Sequence, residues 1–235
     1  MQKIERYDRF EDGVIACVPT ILGYLGIGFA MGVVGKGIGL SILEIIFMSV
    51  IVYAGSAQFI ICALLAIHAP MTTIVATVFL VNLRHFLMSL SVAPYFKQTQ
   101  FLSAIGIGSL LTDESYGVLT TALQQNKPVT AKWTHGLNVM AYVSWIIATF
   151  LGGLLGSFIP DPERLGLDFA LIAMFVGLFL FQVERPLKKK TKQTVLILAA
   201  VVVTLVICMA HTTAEVAVII ATLVGCLVGT VTHHG

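Results

Sequence analysis

Two adjacent carboxylates, Asp113 and Glu114, stand inside the otherwise apolar run LLTDESYGVL (110–119). One segment earlier, VNLRHFLMSLSVAP (81–94) carries Asn82, Arg84 and His85 among bulky apolar neighbours. Acids and a guanidinium in such company do one of two kinds of chemistry. They pair to cancel charge, or they bind and release a proton, because an isolated charge in a poorly polarisable setting is costly. At helical spacing Asn82, His85 and Ser89 share one face, while Arg84 and Ser91 share another. The simplest electrostatic account pairs Arg84 with one acid and leaves the other without a cation. Two readings then stay open: a coupled carboxylate set that takes up a proton, or a structural Arg–Asp pair that fixes helix register, with Glu114 reaching a wet cavity.

The elements that must hold these residues are membrane helices. Of 235 residues, 57% are apolar and 11% charged, against about 25% charged in soluble domains. Apolar segments run near 14–34, 40–66, 71–93, 101–123, 137–159, 167–183, 194–210 and 215–231, most of them long enough to cross a hydrocarbon core. Turn chemistry falls between them at GKGIG (35–39), HAP (68–70), QQNKP (124–128) and IPDPE (159–163). The expected fold is all-α, a polytopic transmembrane bundle of about eight spans forming one domain over 1–235. With both termini cytoplasmic, that side collects Lys3, Arg6, Arg9, Lys127, Lys132 and the basic run ERPLKKKTK, leaving Lys36, Lys97 and Arg164 outside. The mixed charge of the first residues is unlike a cleaved signal peptide.

The second segment, longer than a simple crossing needs, contains YAGSAQF (53–59). Gly55, Ser56 and Gln58 there fit either a discontinuous helix, of the kind that exposes backbone beside a substrate, or a tilted continuous one packed through its small residues. Gly28/Gly32, Gly152/Gly156 and Gly225/Gly229 mark close helix packing. Interface anchoring accounts for Trp133, packing for Trp145, and snorkelling for Glu44. The four cysteines (Cys17, Cys62, Cys208, Cys226) read as small buried hydrophobic residues, and His68, His211, His233 and His234 suggest no metal site. HExxH, GxSxG and Walker-type patterns are absent, so neither an enzyme nor an ATP-driven pump is indicated. Nothing points to nucleic acid or to a cofactor.

In order along the chain, YAGSAQF (53–59), NLRHFLMSLSVAP (82–94) and LTDESYGV (111–118) resemble signatures of the AzlC family, the larger subunit of branched-chain amino acid exporters. The likeness runs over roughly residues 13–125 and continues as hydropathy alone to the C-terminus. Where many relatives carry Pro-Phe-Gly in the first span, this chain has LGIG (25–28). The resemblance implies export of leucine, isoleucine and valine across the cytoplasmic (inner) membrane of a prokaryote, with a small hydrophobic AzlD-type partner. By motif it marks Gly55, Ser56, Gln58, Phe59, Asn82, Arg84, His85, Asp113 and Glu114. A zwitterion would then find Arg84 for its carboxylate, Asp113 or Glu114 for its ammonium, and backbone groups near Gly55–Gln58. Phe59, Phe86 or Leu87 would flank its side chain. A passive pore and a non-transporting assembly subunit are the competing readings; an intramembrane protease would need a second acid motif, which is missing.

Overall fold

Where the chain must turn, it uses the residues that tolerate it: Gly39, His68 and Asn126 all take positive φ (92°, 55° and 55°) between helices. The computed structural model describes residues 7–158, 169–212 and 214–233. These form α1 (Phe10–Ala16), α2 (Val18–Gly37), α3 (Ile42–Ile51), α4 (Gly55–Ala66), α5 (Met71–Val92), α6 (Phe101–Ser109), α7 (Asp113–Gln124) and α8 (Ala131–Leu155). They continue as α9 (Ala170–Lys189), α10 (Thr191–Met209) and α11 (Ala214–His233), with no strand among the described residues. The turn at 159–163 and Lys3, Arg6, Arg164 and His234 lie outside the described residues, as do the side chains of Arg185, Glu215 and His233. The protein is an all-α membrane bundle. Four helices (α2, α5 with its 3-10 extension to Phe96, α8 and α10) are individually long and apolar enough to span.

By contacts the chain divides into two units, Met1–Phe175 and Val176–Gly235. In the first, α2 and α8 touch backbone to backbone. A Cβ at Gly32 would strike the Thr149 carbonyl oxygen, and one at Gly152 the carbonyl oxygen of Phe29. Gly28 and Gly156 lie on the same seam, against Ala148 and Val33. Lipid supplies no hydrophobic drive between helices, so this close fit is what holds the pair together. In the second unit, Gly225 of α11 faces Val201 of α10, where a Cβ would come within 2.6 Å of Val201 Cγ2. Large apolar side chains such as Leu22, Phe79 and Val206 cover the outside.

Two of the predicted spans break near their middles. The 40–66 segment breaks between α3 and α4, with Tyr53 held at φ 39°, a conformation that costs a non-glycine residue of order 1–3 kcal/mol. The discontinuous alternative is therefore the correct one. The 101–123 segment also breaks, between α6 and α7, which the hydrophobicity pattern hid. Its signal was local: Thr112 caps the Ser115 N–H, and Ser115 Oγ accepts from the Thr112 N–H at 2.9 Å, a reciprocal box that starts a new helix at the two acids.

Three smaller expectations are also corrected. Helix α8 starts at Ala131 rather than near 137, because Thr130 caps it through Trp133 N–H. Trp133 is buried against Tyr7, with ring centroids 5.4 Å apart, and so is a packing residue rather than an interface anchor. Glu44 does not snorkel: its carboxylate accepts from Ser41 N–H at 2.7 Å and closes the capping box of α3. Of the cysteines, Cys17 and Cys62 are buried, whereas Cys226 is exposed on α11.

Candidate functional site

Both helix breaks open onto one pocket. Gly55 and Ser56 begin α4 on one side of it, and Thr112, Asp113 and Glu114 begin α7 on another. Arg84 and His85 enter from α5, Tyr24 from α2, Trp145 from α8, and Tyr53 and Ala54 from the first break. Each helix start carries partial positive charge on its unsatisfied N–H groups. In α7 that charge is met by two acids in the first turn. The start of α4 has no acid in its first turn and no side-chain cap, since Ala54 occupies the cap position.

Arg84 organises the centre. Its Nη1 lies 3.0 Å from Asp113 Oδ2, and its Nη2 donates to Ser56 Oγ at 2.6 Å, so one guanidinium ties the first turns of α4 and α7 together. The two charged side chains are 25% and 12% exposed, buried enough that losing either partner would strand the other. Lower on the same face of α5, Ser91 Oγ donates to Tyr116 OH at 3.0 Å, continuing the contact with α7.

Glu114 is placed differently. Tyr24 OH donates to its Oε2 at 2.9 Å and also lies 2.7 Å from Thr112 Oγ1. Among the described residues no basic side chain pairs with it. Trp145 forms the aromatic wall. Its ring meets Tyr24 edge-on at 4.9 Å and lies so close to Gly55 that a Cβ there would sit 2.8 Å from the indole. The space left between these groups is about 10 Å³, roughly room for a single water.

Six of the nine motif positions thus converge: Gly55, Ser56, Arg84, His85, Asp113 and Glu114. Gln58 and Phe59 do not line the pocket. Gln58 is wholly buried in a polar cluster, taking a hydrogen bond from Trp145 Nε1 at 2.8 Å and giving one to Ser49 Oγ at 3.0 Å, with Thr149 beyond at 2.8 Å. Phe59 belongs to the apolar core. Asn82 is absent from the lining, and its Oδ1 is buried without a hydrogen-bond partner among the described residues. Phe86 and Leu87 are 60% and 56% exposed, so they do not form the apolar wall expected of them. That wall is aromatic and was missed: Tyr24, Tyr53 and Trp145. Tyr24 in LGYLG carried a signal, a hydroxyl in mid-span away from the interfacial belt where tyrosine usually sits.

Interrupted membrane helices whose ends meet around a buried ion pair are the build of proteins that move polar solutes through a bilayer. The AzlC protein family model matches residues 19–159. Inner membrane protein YgaZ of Escherichia coli is 30% identical over 199 residues, covering 82% of this chain and 78% of its own. An uncharacterized membrane protein of Helicobacter pylori is 27% identical over 192 residues, covering 82% and 83% of the two chains. The branched-chain amino acid transport protein AzlC of Bacillus subtilis is 27% identical over 166 residues, covering 70% of this chain and 64% of that one. The chain belongs to the AzlC family of membrane proteins. No solved structure matches it.

Proposed function

We propose that this protein is a secondary transporter, not an enzyme, that exports branched-chain amino acids across the cytoplasmic (inner) membrane of a prokaryote. In this reading residues 1–235 form one transport domain of eight spans with both ends cytoplasmic. It draws on the proton gradient and works with a small hydrophobic AzlD-type subunit. Substrate class rests on the Bacillus subtilis relative's name. The observation that carries substrate recognition is the Arg84–Asp113 pair, 3.0 Å apart, where the first turns of two half-helices meet; the small subunit rests on the family resemblance.

The pair is an internal copy of what a zwitterion brings. A substrate carboxylate competes with Asp113 for Arg84 and gains N–H groups at the uncapped start of α4. Its ammonium is drawn to the acids at the start of α7. In a site shielded from water these contacts are strong, and opening the pair costs little once the substrate replaces each partner. The branched side chain lies against Tyr24, Tyr53 and Trp145. The cavity of about 10 Å³ favours a carrier that must change shape over a standing pore. A scaffold that moves nothing has no use for charge at this depth.

The test is efflux of labelled leucine, isoleucine and valine from loaded cells expressing the protein with its partner. Arg84→Ala is expected to abolish efflux while the protein stays in the membrane. Full efflux by that variant would remove Arg84 from substrate recognition.

A further inference from the structure

The two adjacent acids have unequal surroundings. Asp113 is the counter-ion of Arg84, so a proton on Asp113 would leave a guanidinium stranded in a shielded site. Glu114 faces hydroxyls instead. Tyr24 OH donates to it at 2.9 Å and reaches Thr112 Oγ1 at 2.7 Å, where either oxygen can be the donor. Thr112 Oγ1 in turn reaches Ser115 Oγ at 3.3 Å.

A hydroxyl both gives and takes a hydrogen bond, which lets this chain run in two directions. With Glu114 ionised, Thr112 donates to Tyr24 and Tyr24 donates to the carboxylate. With Glu114 protonated, the acid donates to Tyr24, Tyr24 to Thr112, and Thr112 to Ser115. Both states keep the hydroxyls of Tyr24, Thr112 and Ser115 hydrogen-bonded without moving the Arg84–Asp113 pair. The other titratable groups facing this point are Tyr53 from the first break, Arg84 and His85 from α5, and Asp113 itself. Tyr53 OH is buried with no hydrogen-bond partner among the described residues and lies in the same pocket as Tyr24, Thr112 and Glu114, so it is a further hydroxyl that the chain can recruit in either state. Trp145 from α8 does not titrate.

We infer that Glu114, not Asp113, is the carboxyl that takes up and releases the coupled proton, with Tyr24 as the positioning residue that serves both of its states. The inference rests on the proton-coupled reading above and sharpens it. One proton is bound when Glu114 faces one side of the membrane and the same proton leaves when it faces the other; Asp113 keeps its pairing with Arg84.

Infrared difference spectra of the purified protein in lipid nanodiscs, recorded across a pH titration, read this directly. The expected result is one component of the titrating carboxylic-acid carbonyl band, set apart from the exposed acids by subtraction of variant spectra, that is lost in Glu114→Gln, persists in Asp113→Asn and returns in Glu114→Asp. Tyr24→Phe keeps the ring on Trp145 and is expected to move the band's midpoint by about one pH unit, the scale of one hydrogen bond to a charged group. A carbonyl band unchanged in Glu114→Gln, or a component lost in Asp113→Asn alone, overturns the assignment. In parallel, vesicles with Glu114→Gln should lose uncoupler-sensitive accumulation while keeping exchange of leucine down its gradient. Accumulation that survives Glu114→Gln overturns the assignment and moves the proton to another group, His85 included. An intact band with no amino-acid flux in the wild type refutes the export reading instead and leaves the proton site standing.

Discussion

Neutralising one half of the Arg84–Asp113 pair is the sharpest probe of how the site is held. Arg84→Gln leaves Asp113, 12% exposed, without its cation, and Asp113→Asn leaves Arg84, 25% exposed, without its anion. Breaking a buried pair from one side costs about 3–5 kcal/mol. The residual exposure of both groups argues for the lower end, about 3 kcal/mol. At roughly 2–4 °C per kcal/mol for a chain of this size, each single variant should melt about 6–12 °C lower. The double variant strands no charge, and its two amides can still hydrogen-bond across the gap to each other and to Ser56. It should melt no lower than the worse single variant. The assay is thermal unfolding in detergent followed by tryptophan fluorescence, which reports on Trp133 and Trp145. A double variant whose loss equals the sum of the singles to within about 0.5 kcal/mol would show that the two residues act independently, and the pairing argument would fail.

Other consequences are local. Gly32→Val drives a side chain into the backbone of α8 at Thr149; a loss of about 3 kcal/mol or more, seen as little monodisperse protein after extraction, is expected. Wild-type yield would mean that the α2–α8 seam is looser than described. Gln58→Leu leaves Trp145 Nε1 without its acceptor and Ser49 with Thr149 alone and should cost about 1–3 kcal/mol in melting experiments, with transport impaired only through the displaced indole. An unchanged melting temperature would contradict the buried polar cluster. Thr112→Val removes the cap of α7, expected to cost about 1 kcal/mol and to speed hydrogen exchange at the Ser115 amide, which a helix running unbroken from α6 would not do.

Much of this was legible in the residues, and what was not has physical reasons. Arg84, Asp113 and Glu114 announced themselves because charge is expensive in an apolar run. Glycine spacing marked Gly28, Gly32, Gly152 and Gly156 for close packing because only a missing Cβ permits such an approach, but not that α2 and α8 would meet through them. The break before Gly55 could be seen only as an alternative, since small residues serve packing and interruption equally well. The second break was obscured because hydropathy averages over Leu110–Thr112, although Thr112 and Ser115 spell a helix start. Partner choice depends on tertiary placement: nothing local says that Glu114 meets Tyr24, 90 positions away, or that Gln58 turns into the core. Phe86 and Leu87 were drawn into the site by sequence proximity to Arg84, but a helix faces its neighbours outward in turn.

The central claim is that this site moves a branched-chain zwitterion at the expense of the proton gradient. Its most direct test is labelled leucine uptake into inside-out vesicles containing the protein and its small partner, energised by an imposed pH gradient. Accumulation above the external concentration, collapsed by an uncoupler and absent in Arg84→Ala, is the expected result. Uptake that stops at the external concentration and ignores the uncoupler would contradict it.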